Sequence, residues 1–228
     1  MTFQLSDVDV DGAIAETASK VDGQTRAAFL RKAGVAGGAT LGAGAFMGML
    51  PELAAAAPSK KQDIEIVRFA LTLEYLEAAF YKEAIASGAL SGIVRDLAVK
   101  LNQDEQTHVT ALRRTLKSLG GKALASPKFD FRDTTEDQTK FVKTSFTLEN
   151  TGVRAYLGQA GRLKSKALLA AAASIATVEA RHAGAIAVVL NNTPFEGKFS
   201  ISPSGSFDRA SSMKIILKEV GKTKFIKS

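Results

Sequence analysis

The chain has 228 residues, 46% hydrophobic and 23% charged, with 30 Lys and Arg against 23 Asp and Glu for a formal net charge of +7. That balance excludes wholesale disorder and suits one large folded domain or two small ones. With no Cys, no Trp and two His, it also excludes disulfide frameworks, zinc–thiolate and iron–sulfur sites and thiol nucleophiles, and disfavours aromatic stacking platforms for sugars or single-stranded nucleic acid.

Residues 1–57 differ in composition from the rest. A polar stretch from Met1 to Gln24 leads to Thr25-Arg26-Ala27-Ala28-Phe29-Leu30-Arg31-Lys32. Eighteen uncharged residues follow, Ala33 to Leu50, six of them Gly, and then Pro51-Glu52-Leu53 and four alanines, Ala54 to Ala57. A basic flank, a mildly apolar run and an Ala-x-Ala ending are the layout of a removable export signal, with cleavage expected near Ala56. The glycine-rich run is too weakly apolar for a membrane span. Thr25 to Lys32 resembles a twin-arginine signal, except that Ala27 stands where the second arginine belongs. An uncleaved N-terminal segment is the alternative. Cleavage would remove 4 basic and 6 acidic residues, leaving 26 against 17, or +9.

From residue 58 onward, apolar side chains recur at three- and four-residue spacing, the mark of amphipathic helices. The first predicted helix covers about Lys61 to Ser87, with Val67, Leu71, Ala78 and Tyr81 facing inward. After a turn at Gly88 to Gly92, a second reaches about Leu119, with Val94, Leu97, Leu101, Leu112, Leu116 and Leu119 on its stripe. Gly120-Gly121 end it. Residues 122–134 lack periodicity and contain Pro127, so they read as a connection long enough to cross a bundle. A third helix is expected over about Thr135 to Leu163. A fourth is expected over Ser165 to Leu190, with Leu168, Ala172, Ile175, Ile186 and Val189 inward. Short, long and short connections between four such helices predict an all-α four-helix bundle over residues 58–192 with one crossover between its second and third helices. The remainder, 193–228, reads as a Gly/Ser/Pro-rich tail with a short helix near Asp208 to Val220. Its five lysines between Lys214 and Lys227 lack interleaved aromatics and read as a solvated face, not a nucleic-acid site.

Polar residues interrupt these stripes where a core should be. Glu74 lies between Leu71 and Ala78, Glu105 and His108 between Leu101 and Leu112, Glu149 between Ser145 and Val153, and Glu179 and His182 between Ile175 and Ile186. Burying four carboxylates and two imidazoles without compensation is very costly. A pair of divalent cations removes that cost, since carboxylate oxygen and neutral imidazole suit such ions. Glu fills 12 of 228 positions, yet both histidines have a Glu three residues earlier, on the same helix face. The halves also repeat. Thr72-Leu73-Glu74 matches Thr147-Leu148-Glu149, and each Glu precedes a tyrosine by seven residues, Tyr81 and Tyr156. Glu77 is a rival to Glu74, which the repeated tripeptide favours.

The Glu…Glu-x-x-His…Glu…Glu-x-x-His set resembles the ferritin-like di-iron carboxylate superfamily. Within it, Leu73-Glu74-Tyr75-Leu76-Glu77-Ala78-Ala79-Phe80-Tyr81 resembles exported ferritin-like proteins related to plant desiccation-induced proteins. The resemblance covers about residues 61–192, and loosely Phe207-Asp208 and the last short helix. It implies Glu74 and Glu149 as terminal ligands, Glu105 and Glu179 as bridges, and His108 and His182 as one further ligand to each ion. Tyr81 and Tyr156 match a tyrosine that bonds a ligand or donates electrons, although both also suit ordinary packing. Asp104 resembles an aspartate that orients a ligating histidine; Val178 occupies the matching place in the other half.

The resemblance further implies two metal ions, iron before manganese, and O2 or peroxide as small-molecule substrate. Oxidation of Fe(II) with removal of peroxide is the leading expectation. A manganese-catalase-like enzyme and a non-enzymatic stress-protective envelope protein with structural metals are the alternatives. In the last case the +9 domain would meet anionic envelope polymers. Nothing after Leu190 resembles the extra long helix of cage-forming ferritins, and other oligomers stay open.

Overall fold

The computed structural model describes residues 59–122, 124–191 and 195–227. They lie within the compact unit Glu52–Ser228; the expected export signal, with Arg26, Ala27 and Ala56, falls outside the described residues. Four long helices form the frame: α1 (Lys60–Ser87), α2 (Gly92–Ser118), α3 (Gln138–Ala160) and α4 (Lys166–Leu190). A shorter α5 (Met213–Thr223) follows, and two-residue strands β1 (Lys128–Phe129) and β2 (Ile226–Lys227) pair antiparallel.

Local chemistry sets the helix ends. The side chains of Ser59, Asp137, Ser165 and Ser212 each accept from a backbone N–H three residues on, satisfying donors that a helix start leaves free. Asp137 explains why α3 begins three residues later than the periodicity predicts: Arg132–Thr134 form a short 3-10 turn first. Gly88 closes α1 at φ 75°, a left-handed conformation that glycine adopts without strain.

Helices α1 and α2 pack as one hairpin, α3 and α4 as the other. The direction of each helix follows from the apolar groups it supplies. One core cluster holds Phe80, Tyr81, Leu101, Phe141 and Ile186; the other holds Leu71, Leu112, Leu116, Tyr156 and Ile175. Reading along the chain, α1 and α4 run from the second cluster to the first, while α2 and α3 run from the first to the second. Helices α2 and α3 are therefore parallel, and the chain must cross the bundle between them.

That crossover is laid along α1. Arg68 donates to the carbonyl of Lys122, Tyr75 Oη to that of Leu124, Ser87 Oγ to that of Thr135, and Thr135 Oγ1 to the Glu83 carboxylate. From Arg68 to Ser87 the helix rises about 28 Å at 1.5 Å per residue, the distance the connection has to cover. Phe131, buried within it, stacks edge-on to Phe80 at 5.3 Å.

The C-terminal segment is more than the tail that composition predicts. Its short helix starts at Met213, five residues later than expected, because Ser212 caps it. The Ser211 N–H donates to the Arg154 carbonyl on α3, and Arg154 pairs with Glu219. Gly158 permits this approach, since a Cβ there would lie 1.8 Å from the Ser211 carbonyl oxygen. Phe225 packs on Phe131 at 5.3 Å, and β2 pairs with β1 in the crossover. The tail thus clips the crossover to the bundle.

Candidate metal centre

On α2 the sequence passes from Leu101 through Glu105 and His108 to Leu112. On α4 it passes from Ile175 through Glu179 and His182 to Ile186. In both, the polar pair sits between residues of the two apolar clusters. Glu74 on α1 and Glu149 on α3 occupy the same level. All six predicted donors are buried, the four carboxylates completely. Glu77 is buried there too, at 3% exposure.

The six residues divide into two overlapping groups. Glu74, Glu105, His108 and Glu179 form one; Glu105, Glu149, Glu179 and His182 form the other, with the donor atoms of each group within 4.8 Å of one another. His108 Nδ1 lies 3.1 Å from Glu74 Oε2, 3.1 Å from Glu105 Oε2 and 3.2 Å from Glu179 Oε1. His182 Nδ1 lies 3.1 Å from Glu105 Oε1, 3.2 Å from Glu149 Oε2 and 3.8 Å from Glu179 Oε2. Glu105 and Glu179 therefore turn one oxygen to each histidine, while Glu74 and Glu149 each serve one group.

Hydrogen bonding alone does not account for this arrangement. A ring nitrogen carries at most one proton, yet three carboxylate oxygens crowd each Nδ1. Glu105 Oε1 and both oxygens of Glu179 are buried without a hydrogen bond, although ion-pair distances to the imidazoles are short. A cation held in common would satisfy all of these atoms, and hard oxygens with imidazoles are a donor set suited to divalent metal ions. These groups can hold metal ions.

The electrostatics agree. Burial, then Glu179, pushes the carboxyls of Glu74, Glu77 and Glu149 well above the usual range. Burial also works to raise Glu105, but the His108 and His182 imidazoles beside it hold it down at about 2. For His108, burial works downward and is outweighed by Glu105, Glu179 and Glu74, which raise it to about 12; His182 moves the same way for the same reason. In the protein alone, imidazole protons thus supply the positive charge that the carboxylates require.

The two tyrosines cross between hairpins. Tyr81 on α1 donates to Glu149 Oε1 on α3, and Tyr156 on α3 donates to Glu74 Oε1 on α1. Each leaves the Oε2 of its glutamate to the histidine-side group. Asp104 crosses as well. It accepts from His182 Nε2 at 3.1 Å, not from its neighbour His108, which fixes the ring with Nδ1 toward the carboxylates. Lys100, one turn earlier, pairs with Asp104. Among the described residues nothing bonds His108 Nε2, in keeping with Val178 at the place matching Asp104.

A family model for the ferritin-like domain matches residues 62–192. The chain belongs to the ferritin-like domain family. No curated protein matches it. The matched span begins with α1 and ends just beyond α4, so this ferritin-like domain comprises the four helices that carry all six donors.

Sequence spacing singled out the six residues that the structure brings together and set Glu77 aside as a rival to Glu74. Both glutamates are buried, but only Glu74 has an oxygen in the two donor groups. Their i, i+3 spacing, which puts them on one helix face, was the signal that both would be buried at this level. Lys100 carried a similar signal, one turn before Asp104.

Proposed function

We propose that this ferritin-like domain is an exported di-metal carboxylate protein that oxidises Fe(II) with O2 or peroxide. The single observation that carries the reading is the division of Glu105 and Glu179, each giving one oxygen to the His108 group and the other to the His182 group. Two carboxylates shared in this way would hold two cations side by side. Glu74 and His108 would complete one coordination sphere, Glu149 and His182 the other. When bound, two Fe(II) together supply the two electrons that reduce one peroxide to water.

The protein's own groups orient and shield that chemistry. Tyr156 and Tyr81 hold the Oε1 atoms of Glu74 and Glu149, and Asp104 holds the His182 ring. An apolar pocket lined by Ile66, Leu73, Leu112, Leu168 and Ile175 reaches Tyr156, which suits the approach of a small apolar molecule such as O2. Export rests on the three-part layout of residues 1–57, and the +9 balance of the remainder suits an anionic envelope surface.

The test is O2 and peroxide consumption on addition of Fe(II) to anaerobic protein. Uptake in the wild type, lost in Glu105→Ala, supports the reading. Release of O2 from peroxide by manganese-loaded protein alone would favour the catalase-like alternative. Chelator-sensitive thermal stability with neither activity would favour metals that only hold the bundle together.

A further inference from the structure

The two hairpins match position by position at the centre: Glu74 with Glu149, Glu105 with Glu179, His108 with His182. Glu77, three residues after Glu74, should have its mate three residues after Glu149. That mate is Gly152. A Cβ on Gly152 would lie 3.5 Å from Glu77 Oε1 and 3.6 Å from Glu179 Oε2. The bare backbone of α3 therefore leaves space, and the carboxylate of Glu77 reaches into it beside a bridging candidate. A second glutamate at residue 152 would compete for the same volume.

Glu77 is 97% buried by its 3% exposure, and among the described residues no group donates a hydrogen bond to it. The strongest charges acting on it are those of Glu179, Glu149, Glu105 and Glu74, in that order. A buried carboxyl without a partner is costly unless something at the site compensates it. Tyr81 and Tyr156 are committed to Glu149 and Glu74, and both imidazoles are surrounded by other carboxylates. In the protein alone a proton keeps this carboxyl neutral; at a loaded centre the cation pair would take the proton's place.

We propose that Glu77 is a seventh metal-binding carboxylate, approaching the dinuclear centre from the Glu179 side through the space left by Gly152. This inference rests on the di-metal reading above. Four carboxylates and two neutral imidazoles balance two divalent cations. Glu77 adds a fifth negative charge, which strengthens the hold on hard cations and favours a centre of higher positive charge. It also makes the two metal positions unequal.

Anaerobic titration with Co(II), followed by its d–d absorption and by melting temperature, tests this without recourse to turnover. Wild-type protein should bind two ions. Glu77→Gln, which keeps size and removes charge, should still bind Co(II) but with at least about tenfold weaker affinity for one ion. Its d–d spectrum should change and its metal-induced rise in melting temperature should shrink. Glu77→Asp, charged but one methylene shorter, should fall between the two. Without metal, Glu77→Gln should melt no lower than wild type, which separates metal binding from folding. Two ions bound by Glu77→Gln with wild-type affinity and spectrum would overturn the seventh-ligand assignment while leaving the di-metal reading intact. Failure of the wild type to bind two ions would overturn both.

Discussion

The α1–α2 and α3–α4 hairpins supply the same three donors at the same spacing, but not the same surroundings. Asp104 on α2 has Val178 as its counterpart on α4, and Glu77 on α1 has Gly152 on α3. Because Asp104 reaches across to His182 while His108 lacks such support, the α1–α2 half stiffens the histidine of the other half. The two tyrosines, by contrast, cross symmetrically. The donors thus obey a two-fold relation that the groups holding them break, and two ions bound here should differ in affinity.

The largest expected effect comes from a shared donor, where the symmetry holds. Glu105→Ala removes an oxygen from both groups, so both ions should be lost together, read by metal analysis after anaerobic loading. Glu179→Ala should do the same; a variant that loses only one ion would break the bridging assignment.

Proton competition should follow. His108 is held at about 12, far above its ordinary value near 6.5, and His182 moves the same way. Metal binding needs both rings neutral and the carboxyls ionised, so loading at pH 7 should release at least two protons per ion pair, and affinity for the pair should rise steeply with pH. Proton release measured in weak buffer checks this. For the metal-free protein, a raised histidine stabilises fully below about 6.5 and loses that contribution as pH rises through about 12. Glu105, held down at about 2, stabilises above about 4.5 and ceases to as pH falls through about 2. Metal-free protein should therefore be most stable at neutral to mildly acidic pH.

Asp104→Ala probes the asymmetry directly. It should weaken one ion about 10- to 100-fold and spare the other, giving a wider separation between two steps in calorimetric titration. Val178→Asp should strengthen the weaker ion and draw the two steps together. Equal weakening of both ions by Asp104→Ala would contradict the crossed support.

The smallest effects should come from the tyrosines. Tyr81→Phe and Tyr156→Phe each leave a buried carboxylate oxygen without its donor, at about 1 to 3 kcal/mol in denaturant unfolding. The two values should be nearly equal, since these bonds obey the symmetry.

The frame and the donors were readable in the sequence because both depend on spacing along single helices. Leu101, Glu105, His108 and Leu112 already show a core stripe with a polar interruption, and its repeat around Glu179 and His182 shows two halves. The crossover was readable as length without periodicity. What crosses between helices was not. Tyr81 follows Glu74 by seven residues yet bonds Glu149, and Asp104 neighbours Glu105 yet holds His182, because which helix faces which is settled by packing. The clip of β2 onto β1 and the close approach at Gly158 likewise join segments far apart in the chain, in strands too short for any alternation. Glu77 was visible as an acidic residue on the right face; its approach to Gly152, where a Cβ would lie 3.5 Å from its Oε1, is shown only by the packing.

The most direct measurement is the metal content of protein purified without added metal and then reconstituted anaerobically with Fe(II) or Mn(II). Two ions per chain are expected, with both lost together in Glu105→Ala. Less than about half an equivalent of iron plus manganese per chain would contradict a dinuclear centre.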